Sequence, residues 1–250
     1  MIVALLASMS LAMTVAAPKA VAVSPAASSI PANTLRLYVI FDRAARGKVM
    51  TRDMRLIDAQ GRGIDGAFMD FGQDLWSPDG RRLTVLFDPG RVKRDVEGDG
   101  ATAAPLEVGH VYTIVVAGKR FRYRVTPAIR TPIDPRNWRL APPSGGSRKA
   151  VSVTFDREMD CALLGDQLEV VDAQGRPQSG QATASPGGKS WSWRPARDWR
   201  PGVYRLMIGS RLEDVSGNRV GEALDHDVGA PEAPAEDTAI SFKVAAKVTE

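Results

Sequence analysis

Leu37–Arg62 reads LYVIFDRAARGKVMTRDMRLIDAQGR, and Val151–Arg176 reads VSVTFDREMDCALLGDQLEVVDAQGR. The two stretches align without a gap at an offset of 114 residues, so that Phe41-Asp42-Arg43 meets Phe155-Asp156-Arg157 and Asp58-Ala59-Gln60-Gly61-Arg62 meets Asp172-Ala173-Gln174-Gly175-Arg176. Downstream, Ser77-Pro78-Asp79-Gly80-Arg81 matches Ser185-Pro186-Gly187-Gly188-Lys189, and Gly109-His110-Val111-Tyr112 matches Gly202-Val203-Tyr204 with one residue missing. A repeat this long is a duplicated domain, not the short unit of a solenoid.

Within each copy the apolar period is two. Leu35, Leu37, Val39 and Phe41 alternate with other residues, as do Val151, Val153 and Phe155, Phe121-Arg122-Tyr123-Arg124-Val125, Tyr204-Leu206-Ile208, and Ile240-Ser241-Phe242-Lys243-Val244. That is the pattern of strands with one buried and one wet face. Gln60-Gly61, Asp79-Gly80, Pro89-Gly90, Gly187-Gly188 and Gly217-Asn218 supply turns between them. Many short strands closed by such turns predict an all-β protein of two tandem β-sandwiches. Short helical turns are expected at Ala44–Asp53 and Glu158–Asp166, where the alternation lapses. Phe41 and Phe155 are expected as buried equivalents, and Gly61 and Gly175 as equivalent tight turns.

A Phe-Asp at the end of an opening strand, a strand running into Asp-x-x-Gly, and a Gly-x-Tyr opening a late strand together resemble the bacterial immunoglobulin-like domains of the surface-layer (SbsA-like) type. In the second copy Leu212-Glu213-Asp214-Val215-Ser216-Gly217-Asn218 is similar to the Asp-x-x-Gly-Asn turn of those domains; the first copy lacks it. The resemblance implies two tandem immunoglobulin-like domains, residues 34–126 and 148–246, in a spacer, adhesion or interaction protein of the cell envelope. Between them, Thr126–Ser147 holds five prolines and then Ser-Gly-Gly-Ser, which sets a Pro-rich linker at 127–147.

Residues 1–22 read as a signal peptide. Ile2–Ala17 is apolar or small throughout, and Ala20-Val21-Ala22 offers a small-x-small cleavage site, although no Lys or Arg precedes the apolar run. The expectation is an exported protein, periplasmic, cell-surface or secreted, not membrane-embedded once the leader is removed. Among 250 residues the net charge is only +4, too dilute for a nucleic-acid partner. Cys161 is the only cysteine, so an intramolecular disulfide cannot form; a half-buried small hydrophobe is the expected role.

No nucleophile signature is visible, and the chain reads as a non-enzyme without a cofactor. Gly188-Lys189-Ser190 lacks the upstream glycine of a phosphate loop, where Thr183 stands, and precedes a strand. His110 and His226 are not clustered. For calcium, Asp95, Glu97 and Asp99 alternate before Gly100, but Leu106 occupies the position of the closing Glu; Asp214 with Asn218 is a second oxygen cluster. Turn formation alone accounts for Asp and Gly at both places. Trp191 and Trp193 share a strand face and align with Leu83 and Val85, which marks them as core, with a sugar-stacking face as the alternative. Arg81, Arg82, Arg91, Lys93 and Arg94 form a local basic patch suited to an anionic polymer or to a solvated loop. The function expected is a binding, adhesion or spacer module meeting an envelope polymer or protein. The alternatives are a carbohydrate-binding accessory protein, which needs exposed tryptophans, and an envelope hydrolase, which needs two acids about 5–10 Å apart in a cleft.

Overall fold

The computed structural model describes residues 16–88, 104–224 and 236–246. The first sandwich is built from β1 (Ala20–Ser24), β2 (Ser29–Pro31), β3 (Arg36–Phe41), β4 (Arg55–Ile57), β5 (Leu75–Trp76), β6 (Arg82–Leu86), β7 (Val111–Val116) and β8 (Lys119–Thr126). One sheet has the order β1-β3-β6-β5 and the other β2-β8-β7-β4. The second sandwich uses β9 (Arg139–Ala141), β10 (Val151–Thr154), β11 (Leu168–Asp172), β12 (Gly180–Ala184), β13 (Ser190–Pro195), β14 (Gly202–Ile208) and β15 (Thr238–Val244). Its sheets run β12-β13-β10-β9 and β11-β14-β15. Lettered from the first strand of each domain, both are the ABED and CFG sheets of the immunoglobulin sandwich. In the first domain the leading strand splits. β1 pairs antiparallel with β3, whereas β2 pairs parallel with β8.

The alternation seen in the sequence lines two cores. Leu37, Val39 and Phe41 face Leu83, Val85, Ile114 and Val125 in the first, and Val151, Val153 and Phe155 face Trp191, Trp193, Leu206 and Val244 in the second. Phe41 and Phe155 are both buried, and the amide of each donates to the chain before the next strand, at Arg81 and Lys189. Gly61 and Gly175 have φ of +84° and +81°, a region open to glycine because it lacks Cβ. The turns around them are duplicates. Asp58 Oδ1 accepts from the amides of Gln60 and Arg62, and Asp172 Oδ1 accepts from those of Gln174 and Arg176. Each closing arginine returns its Nε to the same carboxylate. Short turns fill the two lapses, as expected: a 3-10 turn at Thr51–Asp53 in the first copy and hydrogen-bonded turns through 161–166 in the second.

Two boundaries differ from the sequence reading. The first sandwich does not begin at 34, because β1 and β2 precede it and Ala20 is buried opposite Phe41. Small alternating residues, Ala-Val-Ala-Val-Ser, are equally a leader's end and an edge strand, and a cut after Ala22 would remove three of that strand's five residues. Residues 1–15 lie outside the described residues. Nor is 127–147 only a linker. Ile133 and Trp138 are buried in the second core, and Trp138 meets Phe155 edge-on at 4.8 Å. All six residues between Pro135 and Pro142 keep their N–H donors, and the last three form the edge strand β9 against β10. Prolines at the ends of an edge strand cost no ladder bonds.

Candidate interaction surfaces and the domain junction

The two sandwiches overlap. Tyr38 and Arg36 lie on the outer face of β3, opposite the core residues Leu37 and Val39, and this face is covered by the loop after β10 of the second domain. The Tyr38 hydroxyl sits 2.7 Å from both carboxylate oxygens of Asp160. Arg36 bridges Asp160 at 3.1 Å and is hydrogen-bonded to Glu213, which also takes Arg219. Burial opposes the charge on Arg36, but Glu213 and Asp160 outweigh it and hold the guanidinium above its ordinary pKa. Burial, reinforced by Asp160, pushes the Tyr38 phenol up, so it remains a donor. Arg82 caps the other side, 5.2 Å over the Tyr38 ring.

Beside this cluster the Asp214 turn is knotted to the first domain. Asp214 is wholly buried and accepts from the amides of Ser216 and Asn218, from Asn218 Nδ2 and from Arg157. The Leu35 amide donates to Val215 O, Ser216 Oγ donates to Asn33 Oδ1, and Asn33 and Asn218 both donate to Ile129 O. Burial raises the Asp214 pKa against the hydrogen bonds from Asn218, Ser216 and Arg157. A Cβ on Gly217 would stand 2.8 Å from Leu35 Cδ2, so this turn needs glycine both for its φ of +80° and for the closeness of the domains.

These contacts decide the reading of several expected sites. Asp214 and Asn218 come together, but their oxygens are taken up by N–H donors as a turn and a domain contact. Asp95, Glu97, Asp99, Arg91, Lys93 and Arg94 lie outside the described residues, as does His226. Of the proposed basic patch, Arg81 is exposed and Arg82 is held on Tyr38. Exposed His110 pairs with Glu107 at 3.3 Å. Trp191 and Trp193 are 1% and 6% exposed, so the sugar-stacking face that needed them open is not formed by these rings. Asp160 and Glu213 do converge at the junction as an acid pair, but Arg36 lies between them and Asp160 is buried. An acid locked to a guanidinium and a phenol is poorly placed to protonate a leaving group. Cys161 Sγ lies 3.2 Å from Ser24 Oγ, and burial raises its pKa, which suppresses the reactive thiolate. Among the described residues there is no cluster of three or more His, Cys, Asp or Glu side chains fit to hold a metal.

Glu158, also buried in this junction, is drawn toward the Ala26 and Ala27 amides and Lys189, yet burial wins and raises its pKa above the ordinary 4.5. A carboxyl raised by folding contributes stability that is present below its unfolded pKa and is lost as pH rises through the folded value. Wild type is therefore expected to lose stability relative to Glu158→Gln as pH climbs from about 4 to about 7. Thermal midpoints of both proteins across that range provide the check, and parallel profiles would contradict it.

The fold and its polar-locked junction define a tandem pair of immunoglobulin-like domains. No protein-family model matches the chain, and no curated protein matches it. Among solved structures it is similar to the titin domains Z1Z2 in complex with telethonin, at 11% identity over 94% of this chain and 98% of that one, TM-score 0.26. It is also similar to tandem Ig repeats of Dlar, at 11% identity over 81% and 92%, TM-score 0.28. A third is the surface layer protein SbsC, domains 4–9, at 10% identity over 92% of this chain and 32% of that one, TM-score 0.25.

Proposed function

We propose that the chain is an exported, non-enzymatic module of the bacterial cell envelope, in which two immunoglobulin-like domains act as one stiff unit that binds or spaces a partner. The observation that carries this reading is the junction. Domains that meet through a small contact are expected to move relative to one another unless opening that contact is costly. Here Asp160, Asp214, Asn33, Ser216 and Asn218 are buried at or beside the contact, and each is hydrogen-bonded or ion-paired. Such groups are costly to bury unpaired, so separating the domains would expose or orphan all of them together. Export rests on the apolar run Ile2–Ala17, with a leader that ends upstream of β1 so that the first sheet stays whole. The surface-layer resemblance of the Asp214 turn favours the envelope.

The test has two parts. Purified protein is sedimented with isolated bacterial envelopes at low and high salt; retention supports the envelope role, and no retention under any condition sinks it. Small-angle scattering then compares wild type with Tyr38→Phe, which removes the phenol's bond to Asp160 at a cost of about 1.5–3 kcal/mol. Wild type is expected to scatter as a single rigid particle and the variant to broaden toward a larger mean size. Equal flexibility in both would remove the junction from the argument.

A further inference from the structure

We infer that the outer face of the first domain's β2-β8-β7-β4 sheet is a binding surface for a linear phosphodiester polymer of the envelope. The inference rests on the envelope reading above and assigns its ligand. Along β8, Arg120, Arg122 and Arg124 alternate with Phe121, Tyr123 and Val125 and are all exposed, whereas Tyr123 and Val125 are buried. Registry extends the row. Arg120 lies opposite Val115, which lies opposite Arg55 on β4; Arg122 lies opposite Thr113; Arg124 lies beside Val111 and Ser29. Four guanidinium groups thus stand on one sheet face, and the residues of these rows include no carboxylate. Among the described residues the side chains of Arg55, Arg120 and Arg122 make no ion pair, and the Arg124 guanidinium donates to Gly109 O.

The second copy shows that the fold does not require this. At the matching strand, β15 presents Ala239, Ser241 and Lys243 outward beside Ile240, Phe242 and Val244, and Glu169 lies on the same face at β11. Arg205 on β14 stands opposite Ser241 on this face, so the duplicate carries two cations and one carboxylate where the first copy carries four arginines and none.

The spacing selects the ligand. Alternate residues on a strand are about 7 Å apart, and β4 lies about 10 Å from β8. Forks spread over these distances engage several anions at once, so linked phosphates gain over a single phosphate by multivalency. Guanidinium groups match phosphate oxygens two at a time. Between the arginines stand Val111, Thr113 and Val115, while the aromatic rings of Phe121 and Tyr123 turn inward. A face without exposed rings has nothing on which to stack bases, which favours a base-free polymer over single-stranded nucleic acid.

The test measures binding of the full chain to a synthetic poly(glycerol phosphate) decamer, against glycerol phosphate monomer and an oligothymidylate of equal charge. Wild type is expected to bind the decamer, to ignore the monomer, and to lose affinity with salt at a log–log slope of about −2 to −3, as release of counterions from three or four phosphates dictates. Arg120→Ser/Arg122→Ser/Arg124→Ser is expected to weaken binding at least about tenfold while keeping the wild-type melting temperature. Arg122→Glu alone, on an exposed position, is the second variant and is expected to weaken it severalfold. Undiminished binding by either folded variant, equal binding of oligothymidylate, or no binding of the decamer overturns the proposal. Envelope sedimentation of the same variants separates the two readings: retention of wild type and triple variant alike refutes this face but leaves the envelope role standing, whereas retention of neither refutes the envelope role.

Discussion

Asp214→Ala is expected to cost about 3–5 kcal/mol of stability, the usual penalty for removing one partner of a buried charged network. The carboxylate is completely buried and receives donors from two backbone amides, one side-chain amide and Arg157. Alanine leaves those donors facing a void, and the turn that carries Val215 O to the Leu35 amide loses its shape. The loss should therefore appear at both levels, as a lower urea midpoint and as a loosened contact between the domains. Asp214→Asn keeps one acceptor oxygen but turns an amide donor toward Asn218 or Arg157, and it should fall between the two. A loss below about 1 kcal/mol in Asp214→Ala would mean that the turn is not the keystone of the junction.

Trp191→Ala should be comparably severe, at about 3–5 kcal/mol. The ring is 1% exposed on β13, across from Val153 on β10 and Ala184 on β12. Its counterpart in the first copy is Leu83, also wholly buried, so the second core has been fitted around a larger side chain. Truncation leaves a cavity that neighbouring strands, fixed by their hydrogen bonds, close only in part. Denaturant unfolding of Trp191→Ala against Leu83→Ala is the measurement. A variant that melts like wild type but loses binding would reverse the assignment of this ring from core to ligand platform.

The duplication made much of the architecture readable before any coordinates. Gly61 with Gly175, Phe41 with Phe155, and the tryptophans with Leu83 and Val85 are paired positions, and a constraint satisfied twice in one chain is far stronger than a propensity. What lay outside the aligned blocks was misplaced. β1 escaped because Ala-Val-Ala-Val-Ser has the small-residue composition of a cleavage region, and β9 because prolines on both sides masked three residues that still pair. The junction was not legible at all, since Arg36 meets Glu213 across 177 positions of sequence. The basic face is a different case. Its arginines lie within the β8 alternation, where a strand gathers charge at every second residue and not in an adjacent pair such as Arg81-Arg82.

The split of the leading strand has a mechanical consequence. β2 lies parallel to β8, so tension applied through the two ends of the first domain pulls these strands past each other along their length. The bonds joining them, at Ser29, Ile30 and Pro31 with Arg124, Val125 and Thr126, are then loaded in shear and must break together. In the second domain the equivalent parallel contact is a single bridge, Ser144 to Ala245. Under load the second domain is expected to yield first, with the domain that carries the basic face keeping its shape, an order that single-molecule pulling of the full chain would check.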